Sequence, residues 1–307
     1  MKKILHIILI TIISLTVISC SSSDDSKTTT SSVSFVAVGT SGTLLTSSDG
    51  TSWTSRTSGT SNGLQRVIYA NSTFVTVGDS GTILTSSDGI SWTSRTSGTT
   101  NTLYGINYGN STFVTVGNSG TILTSGDGTT WTSRTSGTTN TLYGITYGNS
   151  TFMTVGNSGT ILTSSDGTSW DNRTSGTSYG LQRVIYIDSR FHVVGDAGII
   201  LSSSDGTSWE ISTPLTTANL YGIYNANSSI VMVGESGTII TSLNEGIDWD
   251  NRTSGTTNRL YKVTYGNSTF VTVGLSGTVL TSSDNGTTWT SRTSGTTETL
   301  HGIAYKE

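Results

Sequence analysis

A repeat of about 39 residues runs through most of the chain and constrains its fold more than any other feature. Its seven copies begin at Phe35, Phe74, Phe113, Phe152, Phe191, Ile230 and Phe270, at spacings of 39 or 40 residues. The seven tryptophans follow the same spacing, at Trp53, Trp92, Trp131, Trp170, Trp209, Trp249 and Trp289. Repeats of about 40 residues with four short strands each are typical of β-propellers, in which every repeat forms one blade.

One repeat is enough to predict the strands of a blade. Residues 142–147, 151–155, 160–163 and 170–173 are short runs rich in β-branched and aromatic residues. Gly, Asn, Asp and Ser separate these runs and favour tight turns. Beyond the N-terminal leader, no segment has apolar residues spaced as on one face of an α-helix. The sequence therefore predicts an all-β fold of four-stranded antiparallel blades.

The order of the strands predicts how the ring of blades closes. The strand that begins with Leu occurs seven times, yet the chain enters the repeat at Phe35 and ends after the last Leu strand. The first blade thus lacks its innermost strand, and the C-terminus has one to spare. Pairing of residues 300–305 with residues 35–38 would complete that blade and leave no blade face exposed. We predict a seven-bladed β-propeller over residues 34–307, closed by its C-terminal strand.

The N-terminal residues have the features of an exported lipoprotein. Residues 1–19 contain Lys2 and Lys3, followed by an apolar run of the length found in signal peptides. The only cysteine, Cys20, comes directly after Val17-Ile18-Ser19 and resembles the lipidated cysteine of a bacterial lipobox. Lipidation explains an odd cysteine in an exported protein, and the alternative is an ordinary leader with an incidental cysteine.

Lipidation of Cys20 would anchor the chain to a membrane of the bacterial cell envelope. Residues 20–33 are rich in Ser and Thr, too polar to pack, and are predicted to tether the propeller. Asp24 and Asp25 resemble surface-export signals and favour the outer membrane or the cell surface. The net charge of −4 becomes −6 once Lys2 and Lys3 leave with the leader. Without a basic patch, nucleic acid is not expected as a partner.

A short motif precedes each tryptophan. Residues 282–289 fit the pattern S-x-D-x-G-x-T-W of an Asp-box, and five of the other copies are one residue shorter. We predict that the acidic side chain accepts hydrogen bonds from the turn, that the glycine takes a strained conformation and that the tryptophan packs into the core. The paired residues are Asp49 and Trp53, Asp88 and Trp92, Asp127 and Trp131, Asp166 and Trp170, Asp205 and Trp209, Asn244 and Trp249, and Asp284 and Trp289.

Together with the preceding V-G-x-S-G-T-I-L segment, this repeat resembles the BNR-type repeat of photosystem II assembly-factor-like propellers. It resembles sialidases and sortilin-type receptors more distantly. The resemblance covers residues 34–307 and implies a propeller fold. Since such propellers include enzymes, receptors and assembly factors, function has to be argued from the site.

A sialidase-like enzyme would need three arginines to hold a substrate carboxylate, a Tyr–Glu nucleophile pair and a further acid. Six of the ten arginines follow the motif tryptophan by three residues, which places them on the outermost strand. No glutamate lies on a predicted innermost strand, and His192 and His301 are the only histidines after the leader. We therefore expect no catalytic centre, no metal site and no cofactor.

Departures from the common repeat indicate a candidate ligand face. The third residue of the innermost strand is Gly in four blades and a cation in the other three, and the turn after the second strand is acidic in three blades. The residues concerned are Arg66, Arg183, Lys262, Asp79, Asp196 and Glu235. Two interpretations are open. The cations hold an anionic group of a glycan or a partner protein, or each is neutralised by a nearby acid.

These features predict a non-catalytic scaffold of the cell envelope that binds or assembles a protein or a glycan. A glycoside-active, sialidase-like propeller is the first alternative, and an adhesion or structural surface protein is the second. The enzyme would bring carboxylates and arginines together at the channel mouth. The scaffold would instead show isolated charges within a ring of amides and tyrosines.

Overall fold

The computed structural model describes residues 32–306, which form 28 strands in seven antiparallel four-stranded sheets. Each sheet is one blade. The innermost strands are β4 (Leu64–Ala70), β8 (Leu103–Gly109), β12 (Leu142–Gly148), β16 (Leu181–Ile187), β20 (Leu220–Ala226), β24 (Leu260–Gly266) and β28 (Leu300–Tyr305). The second strands are β1 (Phe35–Gly39), β5 (Thr73–Gly78), β9 (Thr112–Gly117), β13 (Thr151–Gly156), β17 (Arg190–Gly195), β21 (Ser229–Gly234) and β25 (Thr269–Gly274).

Two shorter strands complete each blade. The third strands are β2 (Leu44–Ser47), β6 (Ile83–Ser86), β10 (Ile122–Ser125), β14 (Ile161–Ser164), β18 (Ile200–Ser203), β22 (Ile239–Ser242) and β26 (Val279–Ser282). The outermost strands are β3 (Thr54–Arg56), β7 (Thr93–Arg95), β11 (Thr132–Arg134), β15 (Asp171–Arg173), β19 (Glu210–Ser212), β23 (Asp250–Arg252) and β27 (Thr290–Arg292). We number the blades by their innermost strands, so that blade 1 contains β28 with β1, β2 and β3.

The C-terminal strand completes blade 1. β28 pairs with β1 in antiparallel register, with Phe35 opposite Tyr305 and Ala37 opposite Ile303. The backbone N–H of Lys306 donates to the carbonyl of Ser34 at 2.7 Å and extends this pairing. The predicted seven-bladed propeller of four-stranded antiparallel blades, closed by its C-terminal strand, is confirmed.

The observed strand bounds in blade 4 differ slightly from the predicted ones. The third strand begins at Ile161, because Thr160 still belongs to the preceding turn, where its N–H donates to the carbonyl of Asn157 at 3.1 Å. The outermost strand begins at Asp171, one residue later than predicted. Trp170 stays in the turn because its indole N–H donates to the carbonyl of Gly167 at 3.1 Å.

The hydrophobic core lies between neighbouring blades. Side chains alternate along a strand, so adjacent residues of each second strand face opposite neighbours. In blade 4, Phe152 packs with Val114 of blade 3, whereas Met153 packs with Leu181 of blade 5. Residues 32–306 contain seven such clusters, one for each interface between blades. Ring closure therefore buries the apolar faces that a single blade would expose.

The described part of the chain begins inside the segment predicted to be a tether. Val33, assigned to that tether, is only 9% exposed and packs with Val36 and Phe74. The propeller thus includes Val33. The predicted signal peptide, Cys20 and the tether up to residue 31 lie outside the described residues. Within residues 32–306, no helix has the length and apolar character needed to cross a membrane.

Candidate functional site

The two ends of the ring differ in the turns that they carry. One end, the upper face, carries the turns after the second strands and the loops that enter the innermost strands. These are adjacent, since the N–H of Asp79 donates to the carbonyl of Gly63 at 2.8 Å. The other end, the lower face, carries the Asp-box turns and the turns between first and second strands. There, the side-chain amide of Asn267 donates to the carbonyl of Ser48 at 3.0 Å.

A tight 3-10 turn shapes the upper face in every blade. In blade 3 the turn is Asn118–Gly120, with φ of 54° at Ser119 and 68° at Gly120. A Cβ atom on Gly120 would lie 2.0 Å from the carbonyl oxygen of Thr138, so only glycine fits there. The first residue of this turn is acidic in three blades: Asp79, Asp196 and Glu235.

The Asp-box turns use their carboxylates locally. In blade 3, Oδ1 of Asp127 accepts hydrogen bonds from the backbone N–H groups of Thr129 at 2.8 Å and Thr130 at 2.9 Å. The hydroxyl of Ser125 donates to the same oxygen at 2.9 Å. Hydrogen bonds from Thr129 and Thr130 hold the pKa of Asp127 well below its ordinary value. A carboxylate bound in this way organises a turn and is not free for acid–base chemistry.

The motif tryptophans pack against the core from its edge, so they contact the core as predicted but are only partly buried. Trp131 is half-buried, as are the other six, whereas the phenylalanines of the repeat are 0–1% exposed. The indole N–H of Trp131 donates to the carbonyl of Gly128 at 3.2 Å. This bond keeps the ring over its own turn, so that one side covers the core and the other meets solvent.

The central channel contains the three cations predicted from sequence. Arg66, Arg183 and Lys262 occupy the third positions of β4, β16 and β24 and line a cavity of about 270 Å³. Arg66 is 5% exposed, and Arg183 and Lys262 are half-buried, so the cations lie deeper than the channel mouth, where they were expected. Below them, the channel wall combines apolar side chains such as Ile68 and Ile185 with polar ones such as Asn107 and Thr146.

The next layer up is a ring of seven side chains around the channel opening. They are the second residues of the innermost strands: Gln65, Tyr104, Tyr143, Gln182, Tyr221, Tyr261 and His301. The rings touch one another: Tyr104 lies 5.3 Å from Tyr143, and Tyr261 lies 4.9 Å from His301, between ring centroids. We call this set the upper ring.

The acidic residues of the upper face do not neutralise the channel cations, so the second interpretation of these charges is wrong. Asp79 accepts a hydrogen bond from the amide of Gln65 at 3.0 Å, and Asp196 accepts one from Gln182 at the same distance. Glu235 pairs with Arg259 at 2.9 Å. Among residues 32–306, none of the four ion pairs includes a channel cation.

The channel cations have few contacts of their own. Nη1 of Arg183 donates to the carbonyls of Tyr143 at 2.5 Å and Gln182 at 3.1 Å. Nη1 and Nη2 of Arg66, like Nε of Arg183, are buried without a hydrogen-bond acceptor among the described residues. The ammonium of Lys262 lies 5.8 Å from the ring centre of Tyr224.

Burial changes the acidity of these groups. It lowers the pKa of Arg183 to about 9, because the charged form loses hydration. Burial, together with the nearby charge of Arg183, lowers the pKa of Lys262 to about 7. The lining of the channel contains no Asp or Glu, and residues 32–306 contain no cluster of three or more groups suited to a metal.

One residue of the upper face was not predicted. The guanidinium of Arg259 lies 5.0 Å from the ring centre of Tyr221 and 5.7 Å from that of Tyr261, besides pairing with Glu235. The signal in the sequence was the departure from the Thr or Gly that most blades carry before the Leu strand. It was missed because only the ring geometry brings Arg259 over the tyrosines of two neighbouring blades.

The described residues thus define a seven-bladed β-propeller with a cationic channel beneath an aromatic ring. A structure of YCF48 bound to a D1 peptide is similar, with a TM-score of 0.66 and 19% identity over 81% of this chain and 91% of that one. YCF48 from Cyanidioschyzon merolae has a TM-score of 0.63 and 15% identity, over 80% and 90% of the two chains. The computationally designed protein Ika8 has a TM-score of 0.64 and 9% identity, over 90% and 92%.

These similarities are in fold. No protein-family model matches the sequence, and no curated protein matches it either. At 9–19% identity, the three structures indicate a shared architecture, and the side chains of the channel and the upper ring have to be interpreted by themselves.

Proposed function

We propose that this chain is a non-catalytic scaffold whose upper face binds a protein partner. The observation that carries the proposal is the upper ring, in which five of seven side chains are aromatic: Tyr104, Tyr143, Tyr221, Tyr261 and His301. Tyrosine gives a large contact area with a polar end and is enriched where proteins meet. Arg259, stacked on two of these tyrosines, belongs to the other residue type that dominates interface energies.

The structural neighbours support a protein partner. A propeller of the same fold, YCF48, has been seen with a D1 peptide bound. The charges of this upper face are few, and each has a polar partner: Glu235 pairs with Arg259, and Asp79 and Asp196 accept hydrogen bonds from Gln65 and Gln182. Such partners lower the cost of burying these charges in an interface.

We also propose that this chain has no catalytic centre. Hydrolysis of a glycoside needs two carboxyl groups on either side of the bond that breaks. The lining of the channel has none, and Glu210, on an outermost strand, pairs with Arg190 at 2.6 Å. The sialidase-like alternative is less well supported because its cluster of carboxylates and arginines is not assembled within residues 32–306.

Photo-cross-linking in cells tests the face that is used. A benzoylphenylalanine introduced at Tyr221, in the upper ring, or at Tyr179, which is 53% exposed on an upper loop, is expected to give a discrete adduct with a protein. The matched control is Ile247, which is 79% exposed on the lower face. Equal adducts at Ile247, or none at either tyrosine, would contradict the proposal. Binding to a glycan array that Tyr221→Ala abolishes would make the partner a glycan.

We also propose that lipidation of Cys20 holds this scaffold at the bacterial cell envelope, on the outer membrane or the cell surface. Cys20→Ser is expected to move the protein from the membrane to the soluble fraction while its thermal unfolding stays unchanged, because the lipid would be the main membrane-binding element. Fractionation with metabolic palmitate labelling measures both. Persistent labelling of the Cys20→Ser protein would show that the lipid is attached elsewhere.

A further inference from the structure

We infer that the central channel holds a small free oxyanion, of the phosphate or sulfate class, between Arg66, Arg183 and Lys262. The site lies inside the ring, below the upper ring of side chains, and is separate from the partner surface proposed above. It has donors, charge and space suited to such an ion, and each is visible in the described residues.

In the described part of the chain, the channel contains guanidinium N–H donors without acceptors. Arg66 is 95% buried, and two of its guanidinium nitrogens, Nη1 and Nη2, have no acceptor among the described residues. Nε of Arg183 is also buried and has no acceptor among the described residues. A guanidinium presents its N–H groups in a planar fork that matches two oxygens of an oxyanion. Buried donors of a charged group are costly to leave unpaired, so an oxyanion here would satisfy what the protein itself does not.

The charge of the channel also favours an anion. Three cations from three different blades line one cavity, and its lining contributes no acid. Burial removes the hydration that would stabilise them, and like charges repel strongly where water is scarce. A bound anion would relieve both penalties at once. The chain is acidic overall, so this positive site is a local property of the channel.

Close packing keeps the cations in place. In the blade before each cation, the third residue of the innermost strand is glycine. A Cβ atom on Gly144 would lie 3.0 Å from Cα of Arg183, and one on Gly302 would lie 3.0 Å from Cα of Arg66. A Cβ atom on Gly222 would lie 3.1 Å from Cα of Lys262. The innermost strands therefore approach closely at this level, which fixes where the three side chains begin.

The space favours a free ion over an acidic loop of a partner. The cavity measures about 270 Å³, well above the roughly 30 Å³ that one water occupies in the liquid. It therefore admits an oxyanion with several waters. The upper ring lies one residue above the cations on the innermost strands, toward the upper face, and Arg66 is only 5% exposed. A small ion can pass such an opening more readily than a folded segment of another protein.

Calorimetric titration of the full chain in non-ionic detergent, with inorganic phosphate or sulfate at low ionic strength, tests the site. Saturable binding of one ion per chain is expected. Replacement of both arginines, Arg66→Gly with Arg183→Gly, should weaken it at least about 100-fold. Glycine is the residue of the other blades at this level, so the fold should tolerate it. The matched control is Arg95→Gln with Arg134→Gln, which removes the same charge from the outermost strands.

The pH dependence provides a second readout, with sulfate as the probe because it does not titrate near neutrality. The pKa of Lys262 is about 7, and an anion binds its protonated form more tightly. Affinity should therefore be full below pH 7 and fall by up to tenfold per unit above it. Lys262→Met should remove this slope. The other charged or titratable groups that line the cavity with Lys262 are Arg66, Arg183, Tyr69, Tyr224 and Tyr305. His301 of the upper ring interacts with Arg183 and Asp79, and Glu235 is held by Arg259.

Two results would overturn the inference. One is the lack of saturable binding of phosphate and sulfate to the parent protein, with binding only of an acidic peptide. The other is equal affinity in the channel variant and the outer-strand control. A thermal shift on addition of phosphate should appear in the parent and the control and be lost in the channel variant. If the channel variant melts at the same temperature as the parent in the absence of phosphate, its loss of the phosphate-induced shift cannot be due to misfolding.

Discussion

Deletion of residues 300–307 is expected to abolish the single cooperative unfolding transition of the protein and to cause aggregation. β28 supplies all the ladder bonds on one edge of β1. It also supplies Leu300 and Ile303, which are 0–1% exposed and pack with Val271 of blade 7. Burial of each of these side chains contributes about 1.5–3 kcal/mol. Together with the lost ladder bonds, the deletion removes much of the roughly 5–15 kcal/mol that stabilises a typical domain.

Calorimetry and size-exclusion chromatography would measure this effect. A permuted protein is the control. In the other blades a short turn, such as residues 148–151, Gly-Asn-Ser-Thr, joins the first and second strands. Moving residues 300–305 to the front of Phe35 through that turn restores the same strand at the same place. This permuted protein should melt near the parent. A deletion variant that melts at the midpoint of the parent would show that the ring does not depend on its closing strand.

Phe113→Ala is expected to destabilise the protein by about 3–5 kcal/mol, typical of a large aromatic side chain removed from a core. Phe113 is fully buried at the interface of blades 2 and 3, where it packs with Val75 and Leu103. Trp131→Ala should cost about half as much, because Trp131 is only partly buried against the same cluster. Denaturant unfolding followed by circular dichroism measures both changes in the free energy of unfolding.

Phe113→Ile is the matched control, since blade 6 has Ile230 at the corresponding position and packs it with 1% exposure. It should cost about 1 kcal/mol, as expected for a swap that keeps much of the buried volume. Iodide quenching gives an independent check: the tryptophans should be partly quenched in the folded protein. Complete protection from iodide, with a loss at Trp131 as large as at Phe113, would place the tryptophan in the core.

The sequence predicted the fold closely because its signals are local and repeated. In each repeat the strands are short β-branched runs and the turns contain Gly, Asn and Asp, and this pattern occurs in all seven copies. The same spacing was less informative about burial. Phe113 and Trp131 recur with equal regularity, yet one is enclosed by two blades while the other is held over its own turn by a bond to Gly128.

In the candidate site, too, the sequence predicted some features and not others. The cations at positions 66, 183 and 262 were found from the sequence because they interrupt a glycine pattern at one level of the innermost strands. The interpretation in which nearby acids neutralise these cations is wrong, since Asp79 and Asp196 accept hydrogen bonds from Gln65 and Gln182 instead. Those glutamines directly precede Arg66 and Arg183, and adjacent strand residues point in different directions. Sequence proximity alone could not decide which of the two faces the acid.

By itself, then, the sequence determined the number of blades, the strands within each and the use of the C-terminal strand to close the ring. These follow from backbone preferences and from apolar periodicity, which act over a few residues and are copied along the chain. Only the tertiary structure decided that Arg66, Arg183 and Lys262 line one cavity whose lining has no acid, because they come from blades far apart in the chain. Distances across the ring depend on how all seven blades pack, and no local pattern encodes them.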